Sequence, residues 1–312
     1  MKKVLSIAGG GTLGTYVTQE LKSKSVKVDV ICLDDYENEE YVTYYKEDAT
    51  YDFLQAFLQD KEYDAIINFC HYVNIKEYEE IYRLLSRHTK QIMFLSSYRV
   101  YADKQHPITE DAPTWLDTDV DEIFIKTENY AMPKLKCESF LKGCPNKNWT
   151  IVRPVISFSD KRFDLYTYSG MQVFMSIENN QKLILPIDAK NITAGLDWSG
   201  NTGKIMANLL FKENTLGETY TISSEQNITW GELAEIYHRV MGVEYDWVSM
   251  EDFVRYGFEL FESGWGWELK YDRIFDRTIN AQKVLKAANM NKPDFTSIED
   301  ALKLEFEKFK SR

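Results

Sequence analysis

The sequence predicts an α/β chain: a doubly wound parallel sheet followed by a smaller, mixed α/β carboxyl-terminal region. Three observations carry this. Short apolar runs with a β-branched bias alternate with stretches of helical spacing through the first half of the chain. The first run passes through a glycine-rich turn directly into a helix. The second half loses this regularity and becomes rich in Tyr, Phe and Trp.

Taken in order, residues 4–8 form the first strand, and Leu13, Val17 and Leu21 recur at helical spacing after the turn. Residues 26–33 give a second strand ending at Asp34 and Asp35. A helix at 51–59, a strand at 65–70, a helix at 75–87 and a strand at 91–96 continue the alternation. Strands this apolar are buried on both faces, as in a parallel sheet covered by helices. Residues 102–126 lapse into a polar loop with Glu110, Asp111, Asp117, Asp119 and Asp121, either a lid or a solvated surface. A helix at 130–141 and a strand at 149–153, stopped by Pro154, complete the first region. Later come a strand at 219–222 and helices at 230–241 and 298–309. The expected division is a dinucleotide-type domain over 1–155, rejoined by 195–225, and a mainly substrate-binding region over 156–312.

Composition narrows the partners. A net charge of −12 opposes binding to a phosphate backbone, so nucleic acid is an unlikely ligand, and any anion must be held by local groups. Cys32, Cys70, Cys137 and Cys144 lack CxxC spacing and read as reduced thiols. No apolar run reaches membrane-spanning length, and the expectation is a soluble, cytoplasmic protein. His71, His88, His106 and His238 form no metal-ligand spacing, so no metal is expected.

Gly9-x-Gly11-x-x-Gly14 sits in the first strand-to-helix turn, where glycines allow a tight bend and close approach of a pyrophosphate to backbone N–H groups. The same turn can also be purely structural. Asp34, 20 residues after Gly14, stands where a carboxylate binds ribose hydroxyls and repels a 2′-phosphate. This favours NAD in a Rossmann-type domain; the alternative is that Asp34 and Asp35 only solvate a loop. YxxxK occurs twice, at Tyr72 and Lys76 and at Tyr130 and Lys134, and with 20 tyrosines the spacing alone decides nothing. At i and i+4 on a helix, an ammonium near a phenol favours its ionised form. Tyr130 follows the strand that ends in Ser96 and Ser97, whereas Tyr72 precedes it, so Tyr130 and Lys134 are taken as the functional pair. Ser97 faces the crevice beyond the strand ends, or merely caps its strand.

As an ordered set, these pieces resemble the extended short-chain dehydrogenase/reductases, the NAD-dependent epimerase/dehydratase family. The resemblance runs through the glycine turn, Asp34, Asp48-Ala49, Ser-Ser-x-x-Val-Tyr, Tyr130-Ala-Met-Pro-Lys134, Glu138 and Arg153-Pro154. Gly217-Glu-Thr-Tyr, Thr229-Trp-Gly-Glu-Leu, Lys283 and Pro293-Asp-Phe extend it to nearly the whole chain. It implies a catalytic set of Ser97, Tyr130 and Lys134. It also implies NAD held by Gly9, Gly11, Thr12, Leu13, Gly14, Asp34, Asp48, Ala49, Lys134 and Pro154. The implied reaction moves a hydride at a carbinol carbon of a sugar-like or nucleotide-sugar substrate, with Tyr130 as acid/base and Ser97 bonded to the same oxygen. A monomer, or a homodimer through the helix bearing Tyr130, is the implied assembly.

Departures qualify these expectations. Ala8 stands at the family's first glycine position. Tyr98 and Arg99 replace the Asp and Glu that carry out elimination in the dehydratases, which disfavours that chemistry. Gly195-Leu-Asp-Trp-Ser-Gly-Asn201 and Asn280-Ala-Gln-Lys283 replace two substrate-side signatures. An atypical member that binds dinucleotide or RNA without turnover is the alternative. Trp265 and Trp267 are weighed as pocket walls or core, and Arg273 and Arg277 as diphosphate ligands or an exposed charged turn.

Overall fold

The computed structural model describes residues 1–261 and 266–311. Six strands and the helices between them build the first half. They are β1 (Lys3–Ile7), α1 (Thr12–Ser23), β2 (Lys27–Cys32), β3 (Val42–Lys46), α2 (Tyr51–Leu58), β4 (Ala65–Asn68), α3 (Ile75–Leu85), β5 (Ile92–Leu95), α4 (Glu122–Thr127), α5 (Ala131–Gly143) and β6 (Trp149–Pro154). The second half comprises β7 (Ile156–Phe158), α6 (Gly170–Glu178), β8 (Leu183–Pro186), β9 (Leu196–Trp198), α7 (Ser199–Asn208), β10 (Glu218–Ile222), α8 (Trp230–Met241), β11 (Tyr245–Val248), α9 (Met250–Phe261), α10 (Gly266–Glu268), α11 (Gln282–Ala288) and α12 (Ile298–Lys310).

Seven strands form one sheet in the order β10-β6-β5-β4-β1-β2-β3, with every neighbouring pair parallel. The order reverses between β1 and β4, which opens a crevice at their carboxyl ends. Alternate side chains feed two cores. Leu5, Ile7, Ile66, Phe94 and Ile151 pack under α2, α3 and α5. Val4, Val28, Ile67, Met93 and Val152 face α1, α7 and the second half. Two small parallel sheets, β7 with β9 and β8 with β11, lie in the second half.

The sequence expectation omits β3 and reads 102–126 as a polar loop without a helix. Both are corrected. Val42–Lys46 pairs in parallel with β2, reached by a connection without a helix. The acidic stretch contains α4, anchored by Phe124, whose ring lies 4.1 Å from that of Tyr271 and 5.4 Å from that of Trp115. Among the described residues no helix is long and apolar enough to cross a membrane. The four cysteines are free.

Candidate active site

The crevice begins at the glycine turn. A Cβ on Gly14 would lie 2.3 Å from the Gly9 carbonyl oxygen, so α1 can start this close to the turn only without a side chain there. A Cβ on Gly11 would meet nothing within 4 Å; it would project into the cleft and fill space available to a ligand. Gly11 caps α1, no side chain caps this helix end, and no acidic residue occupies its first turn. Its orphan N–H groups and positive dipole end therefore suit an anion such as a pyrophosphate.

Ala8 closes β1 with φ of +56°, the left-handed region, which costs a residue with a Cβ about 1–2 kcal/mol. A glycine there removes that strain at some entropic cost in the unfolded chain. Ala8→Gly is expected to stabilise the protein by up to about 1 kcal/mol. A urea midpoint that stays level or falls would contradict this reading.

Asp34 is exposed just beyond β2, with the Tyr36 hydroxyl 3.5 Å from its carboxylate. Lys161, from the loop after β7, donates to the Gly10 carbonyl at 2.7 Å, to Tyr36 at 2.7 Å and to Thr15 at 3.2 Å. It thereby clips the second half of the chain to the turn. Asp48 is exposed and Ala49 half-buried after β3. These three residues follow the carboxyl ends of β2 and β3, outside the cleft; Gly9 and Lys134 are not part of its lining either, whereas the other expected groups line it.

That cleft, about 350 Å³, is lined by Gly11, Thr12, Leu13, Gly14, Ser97, Arg99, Tyr130, Pro154, Arg162, Glu268 and Arg273, among others. A larger depression of about 470 Å³ at the amino ends of β1, β4 and β5 is lined by Lys2, Asp64, Lys90 and Lys212, and contains none of these groups. Ser97 is 4% exposed, and its Oγ accepts from the Arg99 N–H at 3.2 Å, capping the 3₁₀ turn Tyr98–Val100. Tyr130 is the N-cap residue of α5 and so precedes the helix on which it was expected. The Glu128 carboxylate accepts from the N–H groups of Tyr130 at 3.0 Å and Met132 at 2.9 Å, fixing the entry to α5.

Lys134, one turn along α5, is 3% exposed and donates to the Leu95 carbonyl at 2.5 Å. Its Nζ lies 5.9 Å from the centre of the Tyr130 ring. Burial pulls its pKa down to about 8, with Cys137, Cys70 and Glu138 opposing that shift. Behind it, Glu138 joins three elements. It accepts from the Arg153 Nε at 2.9 Å and from the Ser96 Oγ at 2.5 Å, and its other oxygen accepts from the Arg153 Nη2. Burial would raise the Glu138 pKa, but Arg153, Lys142 and Ser96 hold it below the ordinary carboxylate value.

The second YxxxK is placed differently. Tyr72 is buried in the core on the α3 side with its hydroxyl 2.9 Å from the Asn68 amide, and Lys76 is exposed on α3.

Four groups at the cleft wall or next to it were not assigned from sequence. The Arg99 guanidinium lies over the Tyr130 ring, 5.1 Å from its centre, and the His71 ring is 5.5 Å away. The remaining two, Glu268 and Asp272, belong to a buried ion cluster. Arg273 and Arg277 are 3% and 1% exposed, not an exposed turn. Arg273 binds Asp272, Glu268 and the Tyr166 carbonyl. Arg277 binds Asp272 and the carbonyls of Tyr101 and Tyr271. Burial would raise the Asp272 pKa, but Arg273, Arg277 and Arg99 hold it down. Trp265 lies outside the described residues. Trp267 packs on Phe124 and Tyr271 and donates to Thr127 at 3.2 Å.

A doubly wound sheet of this order with a second-half cap is the fold that the sequence resemblance implies, and comparison with solved structures bears out that fold. The chain superposes on UDP-glucuronic acid 4-epimerase from Bacillus cereus, in complex with UDP-glucuronic acid and NAD, with a TM-score of 0.70, 13% identity and 99% of each chain covered. An epimerase from Methanothermobacter thermautotrophicus gives 0.75 at 15% identity, covering 99% of this chain and 92% of that one. UDP-glucose-4-epimerase from Stenotrophomonas maltophila, with bound NAD and formylated UDP-arabinopyranose, gives 0.74 at 13% identity, covering 100% and 98%. No family model matches the sequence, and no curated protein matches it.

Proposed function

We propose that the protein is an NAD-dependent epimerase or dehydrogenase/reductase acting at a carbinol carbon of a sugar-like or nucleotide-sugar substrate. The observation that carries this is one cleft lined by the bare helix end at Gly11–Gly14, Ser97 and Tyr130, with the buried amine of Lys134 behind the tyrosine. Solved proteins of the same fold bind NAD and UDP-sugars, which supports the choice of ligands.

The residues present fit a dinucleotide. Gly11 leaves open space in front of an uncapped helix end, and the Lys134 amine is buried with no acid within ion-pair distance among the described residues. Gly9, Gly11, Thr12, Leu13 and Gly14 would hold the pyrophosphate, and Asp34 the adenosine ribose. Asp48 and Ala49 would lie toward the adenine, and Lys134 and Pro154 toward the nicotinamide end. When bound, NAD supplies a hydride acceptor.

On the protein side, Tyr130 as phenolate takes the proton of the substrate hydroxyl and becomes the phenol, with the Lys134 amine 5.9 Å from the ring centre. Ser97 donates to the same substrate oxygen. Reprotonation of the oxygen by Tyr130 completes either a reduction or an epimerisation.

The test is binding followed by turnover. NAD is expected to bind at least about tenfold more tightly than NADP, because the Asp34 carboxylate repels a 2′-phosphate. Equal affinities for the two would remove Asp34 from its role. Absence of binding to either would remove the proposal.

A further inference from the structure

Arg99 differs from the neighbouring arginines Arg162, Arg273 and Arg277. Arg273 and Arg277 spend their guanidinium donors on Asp272, Glu268 and backbone carbonyls, and Arg162 pairs with Asp164 at 2.5 Å. The Arg99 side chain is only 22% exposed, yet its guanidinium makes no hydrogen bond among the described residues. Its nearest carboxylates, Asp272 at 3.8 Å and Glu268 at 3.9 Å, are held more closely by Arg273 and, for Asp272, also by Arg277. Three guanidiniums therefore face two carboxylates, and one positive charge remains over in a chain whose net charge is −12.

The two carboxylates offset part of the cost of sequestering this cation, but its donors gain hydrogen bonds only when a further partner arrives. This fork, ion-paired only at 3.8–3.9 Å and without a hydrogen bond among the described residues, lies on the face of the Tyr130 ring and on the wall of the cleft that holds Ser97. A guanidinium fork matches a carboxylate in two parallel hydrogen bonds. With its carbon 5.1 Å from the ring centre, it reaches a group only one or two bonds from a carbinol whose hydroxyl meets Tyr130.

We infer that Arg99 is a specificity-determining residue that binds a carboxylate carried by the substrate next to the reacting carbon, so the substrate class is a sugar acid or a similar hydroxy acid. This rests on the function proposed above but is read by binding, not by turnover.

The experiment titrates the NAD-loaded protein calorimetrically with matched pairs: D-glucuronate against D-glucose, and UDP-glucuronate against UDP-glucose. The acid of at least one pair is expected to bind about tenfold or more tightly than its neutral partner, the equivalent of about 1.4 kcal/mol. Arg99→Met is expected to bring that ratio below about threefold while NAD affinity and the melting temperature hold, and Arg99→Lys to retain only part of the preference. No acid preference in either pair, or a preference that survives in Arg99→Met, overturns the inference. Glucose 6-phosphate binding more tightly than glucuronate through Arg99 also overturns it, since the anion is then a phosphate. Acid preference without hydride transfer would retain Arg99's role and remove the proposed reaction instead.

Discussion

Tyr130→Phe is expected to lower kcat by about 10²–10⁴-fold, the usual contribution of a positioned acid/base, while NAD affinity stays within about threefold. The split follows from where the hydroxyl stands. Tyr130 lines the cleft beside Ser97, and its backbone is fixed by Glu128, so removing one oxygen leaves the fold and the glycine turn untouched. Full turnover in a variant that binds NAD would remove Tyr130 from the mechanism.

Lys134 adds a pH signature. Its pKa in the folded chain, about 8, lies below the ordinary 10.5, so on raising the pH the folded protein gives up this proton first. The Lys134 ammonium beside the Tyr130 ring is present below about pH 8 and lost above it. The rate is therefore expected to fall on that alkaline side, and Lys134→Met to be slow and flat through the same window. Stability runs the other way. The cost of burying the charge is full below about 8 and disappears toward 10.5, so unfolding becomes harder across that range.

The legible parts of the molecule are those where burial leaves a pattern in the chain. β1, β2, β4, β5 and β6 are covered on both faces, so their apolar runs stand out. β3 escaped because it is an edge strand in which only Val42 is fully buried, and no helix announces it. α4 escaped because six residues held by Phe124 alone show no period. In the site, Ser97 and Tyr130 could be read from their order along the chain, and that order favoured Tyr130 over the buried Tyr72. Arg99 was visible only as a departure from a pattern. Its excess charge depends on Asp272, Arg273 and Arg277, more than 170 residues further on, and local sequence contains no record of that meeting.

Glu138→Ala is expected to destabilise the protein by about 3–5 kcal/mol, because it leaves the Arg153 guanidinium buried without its counter-ion. Arg153 is 1% exposed, and its remaining contacts are the Glu110 carbonyl at 3.4 Å and the face of Tyr101, neither of which replaces a carboxylate. Against a total stability of about 5–15 kcal/mol this is a large fraction, so a urea midpoint measures it directly. The loss has a functional side, since the Ser96 hydroxyl also loses its acceptor and the strand end that presents Ser97 keeps only the Lys134 bond to the Leu95 carbonyl as a side-chain tie to α5. Removing both charges separates the two effects. Glu138→Leu combined with Arg153→Met is expected to recover much of the stability, because a buried pair can be exchanged for apolar packing at little net cost. Activity should not recover with it if the tie from Ser96 to α5 positions Ser97. The sign with pH follows from the lowered pKa of Glu138: its contribution is full above the ordinary value of 4.5 and is lost as the pH falls through the lower folded value. A single variant as stable as the parent at neutral pH would show that Arg153 finds another partner, and the account of how α5 is held against β5 and β6 would fail with it.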